Sequence, residues 1–226
     1  MNYPHFLNER LKFAIYLYDA TVPQFEEIKR KIEADEPPYQ SYRHPEDDNS
    51  DPPFLEEWEQ ADLAADALGM ACLGHIQIAF HLFLKEFTDH AFRPDALKMV
   101  SQMKQGSWFG NFRAFYATAT DREFDWKNSG VDLKFLEEVI LTRNNSQHPD
   151  DLLSPYTIQD EKHRETHPDS SFRHPTWSAN FPRLFVSREK LVAATEAVSK
   201  LAKYLDDALL SARWGKGRQE RKAADG

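Results

Sequence analysis

Apolar residues recur every three or four positions along most of this chain, the spacing that places them on one face of a helix. Leu7, Leu11, Ala14, Ile15, Tyr18 and Val22 follow that spacing, and Phe25, Ile28 and Ile32 resume it beyond Pro23, which predicts a first helix kinked at the proline. Residues 37–53 break the pattern. Pro37, Pro38, Pro45, Pro52 and Pro53 stand there with Asp47, Asp48, Asn49, Ser50 and Asp51, a composition that sustains neither helix nor core and reads as an acidic, proline-rich loop. A long second helix is predicted from Pro53 or Phe54 to His90, with Glu56, Glu57 and Glu59 complementing the positive end of its dipole. Its stripe of Leu63, Ala67, Met70, Ala71, Gly74, Ile78 and Leu82 is expected to face the core, and Gly69 and Gly74 to admit a close neighbour.

Shorter helices are predicted over 94–104 and 108–117, with breakers at Gly106 and over 118–121. The next helix starts between Gly130 and Asp132 and carries Leu133, Leu136, Val139 and Ile140 as its core stripe. Residues 150–185 then form a long polar stretch. A last helix runs from Arg188 to about Ala212 on Leu191, Ala194, Val198, Leu201, Leu205 and Leu209, and the basic residues 213–226 are expected to be a disordered tail. These elements give an all-α fold, a bundle of about five main helices with long polar loops, organised as one domain over residues 1–212.

Composition narrows what such a bundle can do. The 226 residues carry 28 basic and 37 acidic side chains, a formal charge of −9, which argues against a protein that coats nucleic acid with a broad basic surface. Any contact with RNA has to be local. Residues 1–12 mix Asn2, His5, Asn8, Glu9, Arg10 and Lys12 among apolar neighbours, unlike a secretory signal. The most apolar region, 63–87, is interrupted by Asp66, His75, Gln77, His81 and Lys85, unlike an ordinary membrane span. Cys72 is the single cysteine, flanked by Met70, Ala71 and Leu73, so no intramolecular disulfide is possible. The expectation is a soluble cytoplasmic protein with a buried thiol.

The chemistry is concentrated where the stripe of the 130s helix turns polar. The run Arg143-Asn144-Asn145-Ser146-Gln147-His148-Pro149 continues the series of core positions with groups that bind and titrate. At about 100° per residue, Asn144 and His148 share one side of the helix, and Arg143 and Gln147 share the adjacent strip. Pro149 disfavours helical geometry at His148, so the helix is expected to end there with the imidazole near solvent. The plain alternative is that Arg143, Asn145 and His148 merely finish a helix, since basic groups and Asn are common at C-termini.

The R-N-N-S-Q-H string resembles the signature of the HEPN family, an arginine followed by a polar residue and, after four to six intervening residues in all, a histidine. Asp125-Trp126 and the leucine-rich stretch 133–138 precede it as that family's loop and helix do. The resemblance covers roughly residues 6–213 in arrangement and rests on about six residues in sequence. It implies a metal-independent endoribonuclease of a toxin or defence system, with no cofactor, in which Arg143, His148 and Asn144 are catalytic and Asn145 and Gln147 touch substrate. It also implies an isologous homodimer whose two helix ends form one composite cleft. The chemistry suits the residue types: His titrates near neutral pH and can move protons, and a guanidinium grips phosphoryl oxygens. Some relatives keep the bundle only to bind RNA or a protein partner, and that is the alternative reading. Toxins of this family often carry a tyrosine two residues beyond the histidine, where a partner attaches AMP. This chain has Asp150 there, so any antitoxin or regulator would act differently.

Other candidates are less pointed. His163 and His167 have the spacing of two metal ligands on a helix, but Pro168 opposes a long helix and a surface insert is the simpler reading, so no metal is expected. Arg164, Arg173 and Trp177 have the chemistry to grip RNA by phosphate contact and stacking. His75 on the apolar stripe reads as a hydrogen-bonded core histidine, with His81 weighed beside it, and Glu137 and Glu138 as a solvated helix face.

Overall fold

The structure is a computed structural model that describes residues 2–40, 51–92, 94–120, 122–147, 156–175 and 182–224, with backbone alone for 122, 147 and 213–224. Its helices are α1 (Tyr3–Glu33), α2 (Leu55–Ala91), α3 (Ala96–Gln102), α4 (Trp108–Thr118), α5 (Leu133–Gln147), α6 (Glu161–Thr166) and α7 (Arg188–Ala224). Two 3-10 turns, Arg122–Phe124 and Trp126–Ser129, precede α5. No β-strand forms among the described residues, and the fold class is all-α. Pro23 lies inside α1, as its spacing required. The basic residues expected to be a tail instead continue α7 to Ala224, since Ala, Arg, Lys, Gln and Glu favour helix strongly enough to carry it past Gly215 and Gly217.

The chain packs as two compact units, and the long helices contribute segments to each. The first comprises Met1–Lys12, His75–Ile140 and Ala193–Gly226. Its core is aromatic: Phe80, Phe87, Phe115, Tyr116 and Trp126 are fully buried, and Trp126 lies 5.4 Å from Phe109 and 5.5 Å from Tyr116 between ring centroids. The Tyr116 hydroxyl is satisfied by Thr88 at 2.7 Å, and burial pushes that phenol well above its ordinary range. α7 closes this core with Val198, Leu201 and Leu205. Its Lys200 donates to the Gly130 carbonyl at 2.6 Å, where the chain turns left-handed (φ 63°). Glu138, read as a solvated position, is buried here. His81 stacks on Trp108 at 4.5 Å, and burial with Lys85 nearby lowers its pKa.

The second unit comprises Phe13–Gly74 and Leu141–Val192. Residues 150–185, expected as a long polar loop, contain a packed substructure of their own. The segment 182–185 runs antiparallel to 157–159 and 172–174, with Leu184 N–H donating to Thr157 at 2.8 Å and Phe185 N–H to Phe172 at 2.7 Å. Phe172, Leu184 and Val186 are buried with Leu191, Ala65 and Leu73. Gly69 explains part of the fit: a Cβ there would sit 2.8 Å from the Val186 carbonyl, so glycine permits the approach that its position on α2 predicted. Gly74 differs, since a Cβ would meet only the Arg143 Cγ at 3.7 Å, an ordinary contact.

The centre of this unit is charged. Arg183, only 3% exposed, donates from Nε and Nη2 to Asp66 Oδ2 (2.9 and 2.6 Å) and from Nη2 to Asp62 Oδ2 (2.8 Å). Lys29 completes the cluster at 2.8 Å from Asp62, and the Arg183 guanidinium lies 3.8 Å from the Tyr156 ring centroid. Two acids and two bases balance, which is how charges survive burial. Burial opposes ionisation of Asp62, but Lys29 and Arg183 outweigh it and hold that carboxyl below its usual value. At Asp66 burial wins over Arg183, with the Asp62 charge adding to it, and the pKa is pushed up to about 6.

The stripe predicted to bury α2 is corrected. Ala67, Ala71, Ile78 and Leu82 are exposed, the last two at 49% and 40%, whereas Cys72, Leu73, Ile76, Phe80, Phe83 and Phe87 form the buried face. The helix is apolar around most of its circumference, so spacing alone offered two stripes. Its best 18-residue window has a mean hydropathy of 1.6, enough in length and composition to cross a membrane, and 56% of that window is buried inside the protein. Burial pushes the Cys72 thiol pKa up and away from the reactive range.

Candidate functional site

α5 begins where Asp132 accepts the backbone N–H groups of Lys134 and Phe135, both at 3.0 Å, an N-cap arrangement at the predicted helix start. Leu136, Val139 and Ile140 bury its first two turns, and Thr142 is also buried. The backbone stays helical to Gln147, and Ser146 Oγ donates to the Arg143 carbonyl at 2.7 Å, tightening the last turn. The polar run therefore does close a helix.

Arg143 is half-buried, with its stem against Gly74 of α2. Among the described residues its only hydrogen bond is a long one, Nη1 to Asn144 Oδ1 at 3.4 Å, and its buried Nε has no acceptor there. No carboxylate among the described residues pairs with it. Desolvation consequently lowers its pKa, the direction expected of a cation that burial has deprived of water without supplying an anion. Arg30, Arg183 and Arg188 are all held by carboxylates, an arrangement that Arg143 lacks among the described residues. Asn144 beside it is half-exposed.

Asn145, expected to touch substrate, faces inward. It is buried, and its amide is fully engaged when the nitrogen faces Asp160: it then donates to Asp160 Oδ2 at 2.7 Å and the Leu141 carbonyl at 3.2 Å. In the same orientation it accepts from Asp160 N at 3.0 Å and His163 Nδ1 at 3.2 Å. A carboxamide with both ends satisfied has no group left for RNA. Gln147 belongs to the helix by its backbone, and His148 lies outside the described residues, so its predicted alignment with Asn144 does too.

The same contacts explain the histidines of the polar stretch. Asp160 caps α6, accepting the His163 N–H at 2.6 Å, and α6 stops at Thr166, short of Pro168 as predicted. His163 and His167 are both buried, with rings 5.6 Å apart, so they pack the insert instead of lining a surface. Among the described residues no cluster of three or more His, Cys, Asp or Glu side chains is placed to hold a metal. Arg173 donates to the Pro168 carbonyl at 2.6 Å and stays within its own loop, Arg164 is exposed, and Trp177 lies outside the described residues. His75 is half-buried on α2.

The feature that sequence reasoning missed is the Arg183 cluster. Its signal was Asp62 and Asp66, one helical turn apart inside an apolar stretch, which demands a buried cation from somewhere in the chain. The ion pairs of that cluster tie Arg183 of the insert to Asp62 and Asp66 of α2. No family model matches this chain, and neither the curated proteins nor the solved structures contain a match to it.

Proposed function

We propose that this protein is a metal-independent endoribonuclease of the HEPN type, serving a toxin or defence system in the cytoplasm. One observation carries the reading: Arg143, at the end of the helix that bears R-N-N-S-Q-H, is a half-buried cation with no acidic partner among the described residues of an acidic chain. A phosphodiester would supply the missing anion. Its two non-bridging oxygens match the fork of a guanidinium, and the charge they gain as the 2′-oxygen attacks strengthens the contact in the transition state.

In this reading His148 takes the proton of the ribose 2′-hydroxyl, the 2′-oxygen closes on phosphorus, and the 5′-oxygen leaves with a proton, giving a 2′,3′-cyclic phosphate and a 5′-hydroxyl. Asn144 orients the scissile group, and Gln147 assists from the same helix end. One histidine cannot be base and acid at once, so the reading includes a two-fold homodimer that brings a second His148 to the same phosphate. The exposed Ala67 and Ala71 on α2, on the helix whose Gly74 abuts Arg143, offer a small-residue surface for such a partner. Two facing arginines would also make a locally positive cleft in a chain of charge −9.

The test is incubation of the purified protein with mixed RNA in excess EDTA, beside His148→Ala and Arg143→Ala. Cleavage by the wild type alone, leaving cyclic-phosphate and 5′-hydroxyl ends, is the expected result, and equal cleavage by His148→Ala would sink the mechanism. Full activity from a monomer in light scattering would remove the composite site. A second reading, an inactive module that binds RNA or a protein partner, is favoured by Asn145 being spent on Asp160 and His163. RNA retention without cleavage is its expected signature.

A further inference from the structure

The end of α1, the start of α2 and the residues beside them line an open pocket of about 670 Å³, within the size range of small-molecule sites. Ile32, Pro52, Pro53 and Leu55 line it with three aromatic residues, Tyr39, Phe54 and Trp58, and with the acids Glu33 and Asp35. The Tyr39 and Phe54 rings meet edge to face, 5.4 Å apart at 79°. Trp58 Nε1 donates to Glu33 Oε1 at 2.9 Å, which fixes the carboxylate at the indole edge. Residues 41–50 lie outside the described residues.

We propose that this cavity binds a small organic cation, an alkylated or quaternary ammonium whose methyl groups meet the rings while its charge meets the acids. The residue types are those the chemistry demands. An aromatic face attracts a cation through its quadrupole, and most strongly a weakly hydrated cation with an apolar body. A neutral apolar ligand would use the rings alone, and a compact hydrated ammonium would use the acids but not the rings.

The neighbouring charges point the same way. Among the described residues, Lys29 pairs with Asp62 at 2.8 Å, Arg30 with Glu27 and Glu36, both at 2.7 Å, and Lys31 lies 3.8 Å from Glu27. Lys29 does lie over the Trp58 ring at 5.0 Å, so that indole already serves as a platform for one ammonium, but Lys29 does not line the cavity. α1 contributes the negative end of its dipole, and the positive end of α2 is countered by Glu56 and Glu57 in its first turn. The backbone adds a separate sign. Asp35 and Phe54 both adopt left-handed conformations, φ 52° and 60°, and both line this cavity. For a bulky residue such as Phe that geometry is costly, and such strain gathers at ligand sites.

Calorimetric titration of the full chain at constant ionic strength with tetramethylammonium, choline and the neutral carbon analogue 3,3-dimethyl-1-butanol tests the proposal. Saturable one-site binding of both ammonium probes is expected, with the neutral analogue weaker by about tenfold or more. Glu33→Gln, which keeps an acceptor for Trp58 and removes only charge, should weaken the ammonium probes by about fivefold and leave the neutral one unchanged. Tyr39→Ala should weaken all three, with the thermal transition of each variant checked by circular dichroism. Absence of saturable binding at about 50 mM probe in the wild type would overturn the proposal. So would equal affinity for the charged and neutral probes, or wild-type affinity in a folded Glu33→Gln.

Discussion

Replacing Arg183 with methionine keeps the side-chain length and removes the charge that Asp62 and Asp66 share. Three hydrogen bonds vanish from two carboxylates, each 9% exposed, and Lys29 remains as a counter-charge to Asp62. Breaking a buried ion pair by deleting one partner costs about 3–5 kcal/mol, mostly the penalty of the charge left behind. The penalty has a pH signature. The Asp66 pKa already stands at about 6 with Arg183 present, above its ordinary 3.8, and Arg183 acts to lower it. Without Arg183 it must rise further, so the variant's Asp66 stays protonated to higher pH. A carboxyl whose folded pKa is raised contributes stability in full below its unfolded pKa and loses it as pH climbs through the folded one. The variant should therefore be about 3–5 kcal/mol less stable than the wild type at pH 7. At pH 5 that deficit should shrink by roughly 1–2 kcal/mol, one pK unit being worth about 1.4 kcal/mol. Urea unfolding followed by circular dichroism at both pH values measures this. A deficit under about 1 kcal/mol, or one that does not change with pH, would refute the reasoning.

Three further outcomes follow from packing on the page. Gly69→Ala should cost about 1–3 kcal/mol in thermal or urea unfolding, because its Cβ meets a backbone carbonyl at 2.8 Å, while Gly74→Ala should be neutral or stabilising by up to about 1 kcal/mol. Tyr116→Phe should lower stability by about 1–2 kcal/mol by stranding the buried Thr88 hydroxyl, read from the shift of the unfolding midpoint in calorimetry. Asn145→Leu should destabilise the protein by about 1–3 kcal/mol by orphaning His163 and Asp160, whereas Asn144→Ala should leave the unfolding transition within about 0.5 kcal/mol of wild type.

The helices were legible because each carries its own periodic signal within a few turns. α1, α4 and α5 fall close to their predicted limits since caps and breakers such as Asp132, Ser107 and Pro37 are local. The buried side of α2 was not legible. Ile78 and Leu82 satisfy the same spacing as Ile76 and Phe80, and only the neighbouring elements decide which pair is covered. The insert was harder still. His163, Gln159 and Arg183 have the composition of a solvated loop and become core only when Asn145, the His167 carbonyl and Asp66 meet them. At the proposed site, the polar run closing α5 followed from pattern, while the inward turn of Asn145 depended on a partner eighteen residues away.

The Arg183 cluster also dictates an order of events during synthesis. Asp62 and Asp66 precede their guanidinium by 121 and 117 residues, so the ribosome releases both acids long before their counter-charge exists. Until Arg183 emerges, Lys29 can pair with Asp62, but the first half of α2 cannot bury this face without stranding Asp66. Contacts of such long range also form late in refolding, since loop closure is paid before they reward it. The second unit therefore acquires its native centre only after more than four-fifths of the 226 residues have been made, and a nascent chain cut short before Arg183 lacks the one residue that lets its acids go inside.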